Sequence, residues 1–384
     1  MKYRMYNVFL KKIKKEKIAI AASNVVYAIL YMVYLFTRVF LNKKNSIEPE
    51  KAEKILNDYS PKPQMEYSCK NNEKKEVQLS IIVPAYNSEK TIVECVKSVI
   101  EQVTSVKYEL IIINDGSTDN TKGLVEKIKD SHIRIIDQDN RGFSGARNRG
   151  IDECVGSFIM FLDSDDKMLD NSIESMMKSI NDNEADIVQG GFCAFDNHHC
   201  NTTVFDNMSI SKYKNKTLPG YPWGKIYRRD LFDNVRFPLN VWFEDTIVCI
   251  LLYRLSRKIV TIKDVVYAWR LNPEGITRNA RKKKKCVDHY WVMEHTIKKA
   301  GELGLPNDDI QYELVKGHLS SLMYRRLSLQ GEEVLKSAFA LACRLLDGIR
   351  PKDYVVKGRM IEKDIEKAFR TGNYKLWKWA SFVV

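Results

Sequence analysis

The sequence predicts an α/β protein whose sheet is mostly parallel. Short apolar runs typical of β-strands alternate with helical patterns from Leu79 to a helix that starts near Asp170. Polar or glycine-rich turns follow the first three runs, and a cluster of aspartates follows the fourth. Because strands that alternate with helices form parallel sheets with right-handed crossovers, these turns are expected at one edge of the sheet. Ligands of open α/β sheets bind at that edge.

Each predicted strand is a β-rich apolar run bounded by turn residues. In chain order the runs are Leu79 to Val83, Tyr108 to Ile113, Ile133 to Ile136, Phe158 to Leu162 and, further along, Val265 to Trp269. Helices are predicted between them, from about Glu89 to Gln102, up to about Lys129, and after the glycine-rich turn at 140–150.

Three aspartates, Asp163, Asp165 and Asp166, directly follow the fourth strand. Carboxylates this close repel one another unless they are solvated or neutralised. A hard divalent cation such as Mg²⁺ or Mn²⁺ prefers oxygen ligands and supplies the neutralising charge. The alternative is an acidic turn that caps the following helix, and the cluster alone does not decide between the two.

Six segments carry a resemblance to a known family. In chain order they are IIVPAYNSEKTI (81–92), IIINDGSTDNT (111–121), NRGFSGARNRGI (140–151), FLDSDD (161–166), PWGKIYRRDLF (222–232) and WFEDT (242–246). Their order and spacing resemble the GT-A glycosyltransferases of family 2, which are inverting enzymes that use nucleotide sugars. The resemblance implies a Rossmann-like GT-A fold and transfer of a sugar from a nucleotide diphosphate sugar, with UDP as the expected nucleotide.

The resemblance implies a nucleotide site at the ends of the first strands. Tyr86 would stack on uracil, Pro84 would shape its loop, and Asp115 would accept a hydrogen bond from the base. Arg147, at the start of a helix, would face the ribose–phosphate end. The residues alone also allow a core aromatic at Tyr86, a turn residue at Asp115 and a surface ion pair at Arg147.

In the same family pattern the Asp163-Ser164-Asp165 segment is the DXD motif. Asp163 would lie by the ribose and the metal, and Asp165 would bind the ion that bridges the two phosphates. The expected cofactor is Mn²⁺ or Mg²⁺, which holds charge on the departing nucleoside diphosphate. Asp166 would support these ligands or cap the next helix.

The second acidic pair, Glu244-Asp245, precedes an apolar segment, Thr246 to Leu255, that is typical of a packed helix. Inversion requires a base opposite the leaving group that removes the proton of the acceptor hydroxyl. The resemblance implies Asp245 as this base and Glu244 as part of the acceptor pocket. The alternative, two carboxylates that favour a helix start, is compatible with that role.

Further candidates lie around this pair. Trp223 would stack under a sugar ring or pack in the core, and Lys225 would contact a phosphate or position its loop. Arg278, in a loop after the last predicted strand, is a candidate phosphate ligand.

Zinc-compatible residues occur together at Cys193, His198, His199 and Cys200, but their spacing matches no usual zinc pattern, so a surface loop is expected. The other cysteines are scattered and include no Cys-x-x-Cys pair, which indicates a reducing compartment.

The chain has 62 Lys and Arg against 49 Asp and Glu, a formal charge of +13. Lysines cluster between residues 11 and 17, before an apolar stretch, and basic residues cluster again from Arg281 to Lys285. Without a pattern of RNA-binding aromatics, the expected partner is a membrane surface or an anionic lipid-linked acceptor and not nucleic acid.

The apolar stretch from Ile18 to Leu41 has the length of a membrane span. A single span with a cytoplasmic N-terminus would place the rest of the chain on the far side, away from cytoplasmic nucleotide sugars. We therefore expect membrane attachment with the catalytic domain on the cytoplasmic face. Whether the stretch spans or lies in the interface stays open, and a packed soluble helix is the alternative.

The predicted organisation has four parts. Residues 1–45 form a basic segment and an apolar membrane-associated helix, and residues 46–76 form a polar linker. Residues 77–278 form the GT-A catalytic domain, and residues 279–384 form a helical region that ends in a tryptophan- and lysine-rich segment.

The predicted activity is a hexosyl- or N-acetylhexosaminyltransferase that acts on a glycan or lipid-linked acceptor in surface polysaccharide synthesis. The sequence contains no Gln-x-x-Arg-Trp string of the processive synthases, so addition of one or a few sugars is expected. A sugar nucleotidyltransferase would need a glycine-rich basic loop where Pro84 to Asn87 stands, and a non-catalytic scaffold would be expected to lose a metal ligand or the base.

Overall fold

The computed structural model describes residues 16–41, 45–70, 77–196, 200–211, 218–272, 275 and 279–384. The chain forms two compact units, which are described separately. The sheet unit comprises Pro63–Gly275 and His295–Leu305, and the helical unit comprises Met1–Lys62, Ile276–Glu294 and Pro306–Val384.

The described part of the sheet unit contains ten strands. They are β1 (Leu79–Ala85), β2 (Tyr108–Asp115), β3 (Ile133–Gln138), β4 (Phe158–Phe161), β5 (Lys167–Met168), β6 (Ile187–Phe195), β7 (Cys200–Thr203), β8 (Met208–Ser211), β9 (Lys225–Arg228) and β10 (Lys258–Arg270). Of these, β1, β2, β3, β4 and β10 overlap the predicted runs, although β10 begins seven residues before its predicted start. The main order across the sheet is β3-β2-β1-β4-β9-β6-β10-β5.

The first four strands are parallel neighbours. β1 lies between β2 and β4, and β2 pairs with β3 on its other side. β9 runs antiparallel to β4 and β6, and β6 is parallel to β10. The turns after β1, β2, β3 and β4 therefore open at one edge of the sheet, as the sequence predicts. The predicted α/β fold is confirmed, although the sheet is mixed at its second half.

Helices of the sheet unit connect these strands and cover the sheet. They are Ile92–Ile100, Thr121–Glu126, Gly142–Glu153, Ser172–Asp182 and Tyr253–Leu255, the last preceded by a π-helical turn, Val248–Leu252. Glycine permits close packing of one of them, because a Cβ at Gly150 would lie 2.3 Å from Cγ2 of Ile82 on β1. A larger side chain there would push that helix away from the sheet and from the edge that it helps to form.

The core of the sheet unit is made by the strands themselves. All eight residues of β2 are buried, and β1 is buried except at Pro84, which is half-buried. Strands buried on both faces read as continuous apolar runs, which is why the sequence identifies them.

The helical unit contains the remaining helices. They are Glu16–Thr37, Pro49–Tyr59, Asp309–Gly317, Met323–Leu327, Glu332–Ile349, Met360–Thr371 and Tyr374–Val383, and the helix Asp288–Glu302 begins in this unit. The predicted helical character of residues 279–384 agrees with these bounds. In the last helix Trp377 is fully buried, so the C-terminal end of the chain packs against the helical unit.

The predicted linker at 46–76 differs from the structure. Residues 49–59 form a helix with Pro49 at its first turn and with Ala52 and Leu56 fully buried. Proline is favoured at this position because its missing N–H would be unpaired there anyway. The polar composition of this segment reflects the exposed face of a short amphipathic helix and not a flexible linker. Residues 71–76 of the predicted linker lie outside the described residues.

The predicted apolar helix is present. Residues Ile20–Phe40 are long and apolar enough to cross a membrane, with a mean hydropathy of 1.7 and only 11% of the most apolar window buried. The basic residues 11–15 that precede it lie outside the described residues.

Candidate active site

The loops after β1 and β4 are joined at the predicted ligand edge. The hydroxyl groups of Ser88 and Ser164 lie 2.7 Å apart, and Thr91 Oγ1 donates to the carbonyl of Ser164 at 2.9 Å. Ser164 stands between Asp163 and Asp165. These bonds hold the loop that carries Tyr86 beside the acidic cluster.

The two residues predicted to bind the base both lie at this edge. Tyr86 is 50% exposed, so its ring is not a core aromatic. Asp115 is buried, and its Oδ1 accepts from Gln138 Nε2 at 2.6 Å and from the backbone N–H of Arg141 at 2.8 Å. These bonds fix the carboxylate and connect the ends of β2 and β3.

Backbone geometry shapes the loop after β1. Asn87 has a φ of +48°, a left-handed conformation that asparagine tolerates better than most residues. Its side-chain oxygen accepts from the backbone N–H of Thr118 at 2.8 Å, and its own N–H donates to Ser117 Oγ at 3.1 Å. The loop of Tyr86 is thereby tied to the loop after β2 that begins at Asp115.

The acidic cluster after β4 is held by surrounding donors. The Tyr267 hydroxyl donates to Asp166 Oδ2 at 2.7 Å, and the backbone N–H of Arg270 donates to Asp166 Oδ1 at 2.6 Å. Arg270 Nε also donates to the carbonyl of Asp165 at 2.8 Å. Asp166 is buried, and its carboxylate is held by these bonds. It therefore supports the Asp163-Ser164-Asp165 segment and does not cap the next helix.

Electrostatic repulsion is concentrated here. Burial, followed by the negative charges of Asp163 and Asp165, raises the pKa of Asp166 to about 8. Burial and the charge of Asp163 raise the pKa of Asp165 as well. Carboxylates whose pKa values are raised by burial and by neighbouring charges are typical of functional sites.

These residues fit a divalent cation. Asp163 and Asp165 offer hard oxygen ligands in a desolvated place where added positive charge is favourable. Among the described residues no group of three or more His, Cys, Asp or Glu side chains is placed so that it could hold a metal ion. Mg²⁺-type sites commonly use one or two carboxylates and take further ligands from substrate phosphates.

Arg147 connects the two acidic motifs. Its Nη2 donates to Asp163 Oδ1 at 2.8 Å and its Nη1 donates to Glu244 Oε1 at 2.6 Å. The guanidinium is buried, and its central carbon lies 5.4 Å from the ring centroid of Phe237 and 5.8 Å from that of Phe143. The predicted alternative of a surface ion pair is wrong, since the pair is buried and bridges two candidate site segments.

The segment 243–245 carries strain. Phe243 has a φ of +68°, which is an outlier for a bulky residue, and its turn places Glu244 inward and Asp245 at a half-buried position. Burial raises the pKa of Glu244 to about 7 although Arg147 opposes the shift, and the charge of Asp245 adds to it. Glu244 thus anchors the turn through Arg147 and leaves Asp245 as the more accessible carboxylate.

Trp223 has neither ring face open. Tyr221 stacks on it at 3.7 Å between ring centroids and Tyr267 stacks on it at 4.4 Å, with interplanar angles of 8° and 12°. Trp223 therefore packs in the core, which is the alternative that the sequence allowed, and its ring does not offer a face to a sugar. The same stack positions Tyr267, whose hydroxyl holds Asp166.

Lys225 lies fully buried on β9. Its Nζ donates to the carbonyls of Tyr221 at 2.6 Å and Trp223 at 3.4 Å, and lies 4.1 Å from the Tyr221 ring centroid. Burial lowers the pKa of Lys225 well below its usual value. Contact with a phosphate is excluded by this burial, and the predicted alternative, a loop-positioning role, agrees with the bonds.

Arg278 lies outside the described residues, so its predicted phosphate role has no structural description. The residue that sequence reasoning missed is Arg270, at the end of β10, which contacts Asp166 and Asp165 directly. Its signal was its position at the end of a strand next to the acidic edge.

The predicted surface loop around the zinc-compatible residues is in part described. Cys193 lies on β6 and Cys200 on the adjacent β7, whereas His198 and His199 lie outside the described residues. Within the described ranges all cysteines are unpaired thiols.

Comparison with known proteins agrees with the motifs. Residues 80–236 match the family model described as Glycosyl transferase family 2. Glycosyltransferase GlyA of Streptococcus pneumoniae serotype 4 is 31% identical over 222 residues, which is 52% of this chain and 32% of GlyA.

A second relative is named for its reaction. The Escherichia coli UDP-Glc:alpha-D-GlcNAc-diphosphoundecaprenol beta-1,3-glucosyltransferase WfgD is 36% identical over 121 residues, 31% of this chain and 47% of WfgD. This chain therefore spans about a third of GlyA and about half of WfgD.

Among solved structures, Staphylococcus aureus TarS residues 1–349 in complex with UDP-GlcNAc aligns with a TM-score of 0.63 and 19% identity. The alignment covers 80% of this chain and 91% of the TarS chain. A likeness at this identity shows a shared fold, and the predicted GT-A type is confirmed.

Proposed function

We propose that this chain is a family 2 glycosyltransferase that transfers a sugar from a UDP-sugar to a hydroxyl group with inversion, since residues 80–236 match that family model and GlyA is 31% identical over 222 residues. One observation carries the proposal. Arg147 bridges Asp163 of the DXD segment and Glu244, which directly precedes Asp245, so the donor-binding and base-bearing segments form one site.

The donor half of the site is the edge formed by the loops after β1, β2 and β4. Tyr86 offers an exposed ring on which uracil can stack. Asp115, fixed by Gln138 and Arg141, offers its second carboxylate oxygen to the N3–H of the base. The UDP-GlcNAc complex of the structurally similar TarS supports a donor of this class.

A divalent cation, Mn²⁺ or Mg²⁺, would be held by Asp163 and Asp165 and would stabilise the charge of the departing diphosphate. The pKa values of Asp165 and Asp166, which are raised by burial and by repulsion between the carboxylates, support this assignment, because a bound cation would stabilise their charged forms. Arg270 and Tyr267 hold the motif in place through Asp166.

Asp245 is the proposed base. Its half-buried position leaves the carboxylate accessible, and the strained turn at Phe243 keeps it beside the Arg147 bridge. It would remove the acceptor hydroxyl proton as the oxygen attacks the anomeric carbon from the side opposite the leaving group. The carbon–oxygen bond to UDP breaks as the new glycosidic bond forms.

The proposed acceptor is a glycan or a lipid-linked sugar, and the proposed setting is surface polysaccharide synthesis. The name of WfgD, which specifies a diphosphoundecaprenol acceptor, supports a lipid-linked substrate. The apolar helix Ile20–Phe40 supports attachment to a membrane, and we place the catalytic part on the cytoplasmic face, where nucleotide sugars are made.

Ligand-linked thermal stabilisation tests the donor assignment. UDP, UDP-Glc and UDP-GlcNAc are compared with GDP-mannose, each with and without Mn²⁺. A ligand present at a hundred times its Kd should stabilise the protein by about 2.7 kcal/mol. The UDP compounds should raise the melting temperature in a Mn²⁺-dependent manner, and Asp165→Asn should remove the Mn²⁺ dependence.

The matched control is Asp182→Asn, which changes an exposed aspartate paired with Lys178 at the far end of its helix. It should behave like the wild type. A protein that is stabilised by none of the nucleotide sugars, or equally with and without Mn²⁺, would refute the donor and metal assignments respectively.

A further inference from the structure

The helix Glu16–Thr37 carries large apolar side chains on its exposed face. Its exposed face is an apolar stripe that continues past its end, made by Val25, Ile29, Met32, Phe36 and Phe40, which are between 57% and 75% exposed. These positions recur at the spacing of one helix face. A helix of a water-soluble protein turns such a face inward, so this stripe faces a partner that is itself apolar.

The opposite face of the same helix carries polar contacts to the helical unit. The fully buried Tyr34 donates its hydroxyl proton to Asp364 Oδ2 at 2.6 Å, and Arg38 Nη1 donates to both Asp364 oxygens at 2.8 Å. Trp379 Nε1 donates to Thr37 Oγ1 at 3.0 Å. The apolar stripe is therefore fixed to the C-terminal helices by buried polar bonds.

A basic patch lies on the helical unit. We define it as residues 281–285 together with Arg325. Arg281 Nη2 donates to Ser328 Oγ at 2.9 Å, which holds it against the loop that follows Arg325. Partial desolvation and the positive charge of Arg281 lower the pKa of Arg325, as expected for neighbouring cations.

The patch has little acidic compensation. Lys285 pairs with Asp288 at 2.9 Å. For Lys282, Lys283 and Arg325, which are all exposed, no carboxylate partner occurs in the described part of the chain. Like charges gathered at an exposed surface repel one another and favour an anionic partner.

Aromatic side chains connect the neighbour of Arg325 to the helix that carries the apolar stripe. Tyr324, next to Arg325, contacts the ring of Phe382 edge-on at 6.3 Å between centroids. Phe382, 36% exposed, stacks on Trp379 at 5.5 Å, and Trp379 lies 6.3 Å from Tyr34. These contacts run from the side of the basic patch to the packed face of the helix whose other face carries the apolar stripe.

We infer that this surface docks on an anionic phospholipid bilayer, with the basic patch on the phosphate headgroups, the aromatic side chains at the interface and the apolar stripe in the hydrocarbon. Aromatic residues favour the level between headgroups and acyl chains, and basic residues beside it attract anionic lipid. The surface adds a second, electrostatic attachment to the apolar helix and does not depend on the chemistry of the active site.

The presence of an apolar stripe on the same unit as the basic patch decides against a soluble polyanion as the partner. A nucleic acid or a free phosphate would use the basic patch alone and would leave the apolar stripe in water. A bilayer has an anionic surface directly above an apolar interior, and it satisfies both parts of the surface at once.

The test measures binding of the full chain, diluted from detergent, to two kinds of vesicle by flotation. One is phosphatidylcholine alone and the other is equal parts phosphatidylcholine and phosphatidylglycerol. The patch variant carries Lys282→Glu, Lys283→Glu and Arg325→Glu. The matched control carries Lys97→Glu, Lys127→Glu and Lys129→Glu, three exposed lysines of the sheet unit, and so has the same net charge.

Wild type and control should prefer the anionic vesicles. A neutral triple variant with glutamine at the three positions should bind them about a hundredfold more weakly, at roughly fivefold for each basic residue removed from an anionic surface. The patch variant, which also adds three negative charges, should bind them more weakly still. Phe36→Ser with Phe40→Ser should weaken binding to both vesicles by a similar factor. Far-ultraviolet circular dichroism of each variant checks that it is folded.

Three results would overturn the inference. One is a patch variant that binds anionic vesicles as tightly as the control. Another is displacement of the wild type from anionic vesicles by inorganic pyrophosphate at the same phosphate concentration, which would indicate a site for a soluble anion. The third is release of the wild type from these vesicles by double-stranded DNA together with unchanged vesicle binding of the Phe36→Ser, Phe40→Ser variant.

Discussion

Two groups of carboxylates in this protein differ in how their charge is compensated. In the helical unit, Asp364 accepts from Tyr34 and Arg38. Glu366 accepts from Tyr312 at 2.9 Å and from Arg370 Nε at 2.7 Å, and Arg350 lies at 3.3 Å. Each carboxylate has a hydroxyl donor and at least one cation, so its burial is compensated within the fold.

The acidic edge of the sheet unit is arranged differently. Asp163, Asp165 and Asp166 are gathered after one strand, and burial together with their mutual repulsion raises the pKa values of Asp165 and Asp166. Arg147 compensates Asp163 but is shared with Glu244. The carboxylates of the helical unit are paired with cations within the fold, whereas the acidic edge has fewer cations than carboxylates. A bound cation would supply the missing positive charge.

The largest expected effect is on turnover. Asp245→Asn removes the proposed base while keeping the shape of the side chain, and kcat should fall by about 10²–10⁴-fold. The UDP-dependent thermal shift should persist, because the donor loops are unchanged. Steady-state kinetics with a soluble acceptor measures the change, and turnover within about threefold of the wild type would exclude Asp245 as the base.

The next largest effect is expected on substitution of Arg147. Among the described residues, it is the only buried cation that joins the two acidic motifs. Arg147→Met leaves Asp163 and Glu244 without their cation and should lower the free energy of unfolding by about 3–5 kcal/mol. Chemical denaturation measures it. The matched control is Arg149→Met on the same helix, where a 43% exposed side chain pairs with Glu153 at 2.8 Å, and its cost should stay below about 1 kcal/mol.

Equal losses in the two arginine variants would mean that the buried bridge contributes no more than a surface pair. Adding Glu244→Gln to Arg147→Met should restore part of the stability, because one uncompensated charge is then removed.

A smaller loss is expected at the compensated carboxylate. Asp364→Asn keeps an acceptor for Tyr34 but loses the charge that Arg38 contacts, and should cost about 2 kcal/mol. Thermal unfolding compares it with Asp58→Asn, an exposed position on the helix Pro49–Tyr59. Divalent cations should affect neither variant, and a Mn²⁺-dependent difference between them would contradict the view that Asp364 is purely structural.

The acidic edge should respond to pH and to a cation together. Since the pKa of Asp166 is raised to about 8, the folded protein holds a proton that the unfolded chain loses near pH 4. Stability of the metal-free protein should therefore fall as pH rises from about 4 to 8. Mn²⁺ should raise the melting temperature more at pH 8 than at pH 6, because it competes with that proton. Asp165→Asn should reduce both effects; an unchanged response in this variant would remove the cluster as their source.

The smallest expected effect has the opposite sign and belongs to the helical unit. Burial, with the charge of Arg326, lowers the pKa of His318 to about 3, and burial lowers that of His289 as well. These histidines stay neutral in the fold and become charged in the unfolded chain below about pH 6.5, so stability should decline as pH falls from there towards 3. His318→Gln should flatten the decline measured by thermal unfolding, whereas His132→Gln, at a largely exposed site, should not. A decline of equal slope in both would exclude His318.

Much of the sheet unit was predictable from sequence because its signals are local. β1 and β2 begin at the predicted residues, Leu79 and Tyr108, since buried parallel strands read as unbroken apolar runs. The acidic segment 163–166 was identified for the same reason, as it follows such a run. The linker was misread because the helix at 49–59 has only Ala52 and Leu56 as buried anchors, too few for a clear period.

Side-chain roles were predictable only where exposure decides them. Tyr86 and Asp165 lie at the expected edge, but Trp223 and Lys225 have aromatic, basic composition that suits a ligand and also suits a core. Their stack and carbonyl bonds depend on Tyr267, which is 44 residues beyond Trp223 in the chain. No local pattern records such a neighbour.

The sequence by itself determined the order of strands and turns, the edge at which polar residues gather and the resemblance to family 2 glycosyltransferases, because each follows from short-range patterns of burial and from motif spelling. The tertiary structure decided which charges meet. Arg147 joins Glu244 across 97 positions and Tyr34 joins Asp364 across 330, so both pairings exist only after the backbone has folded. Burial strengthens each of these bonds, since water no longer screens the charges.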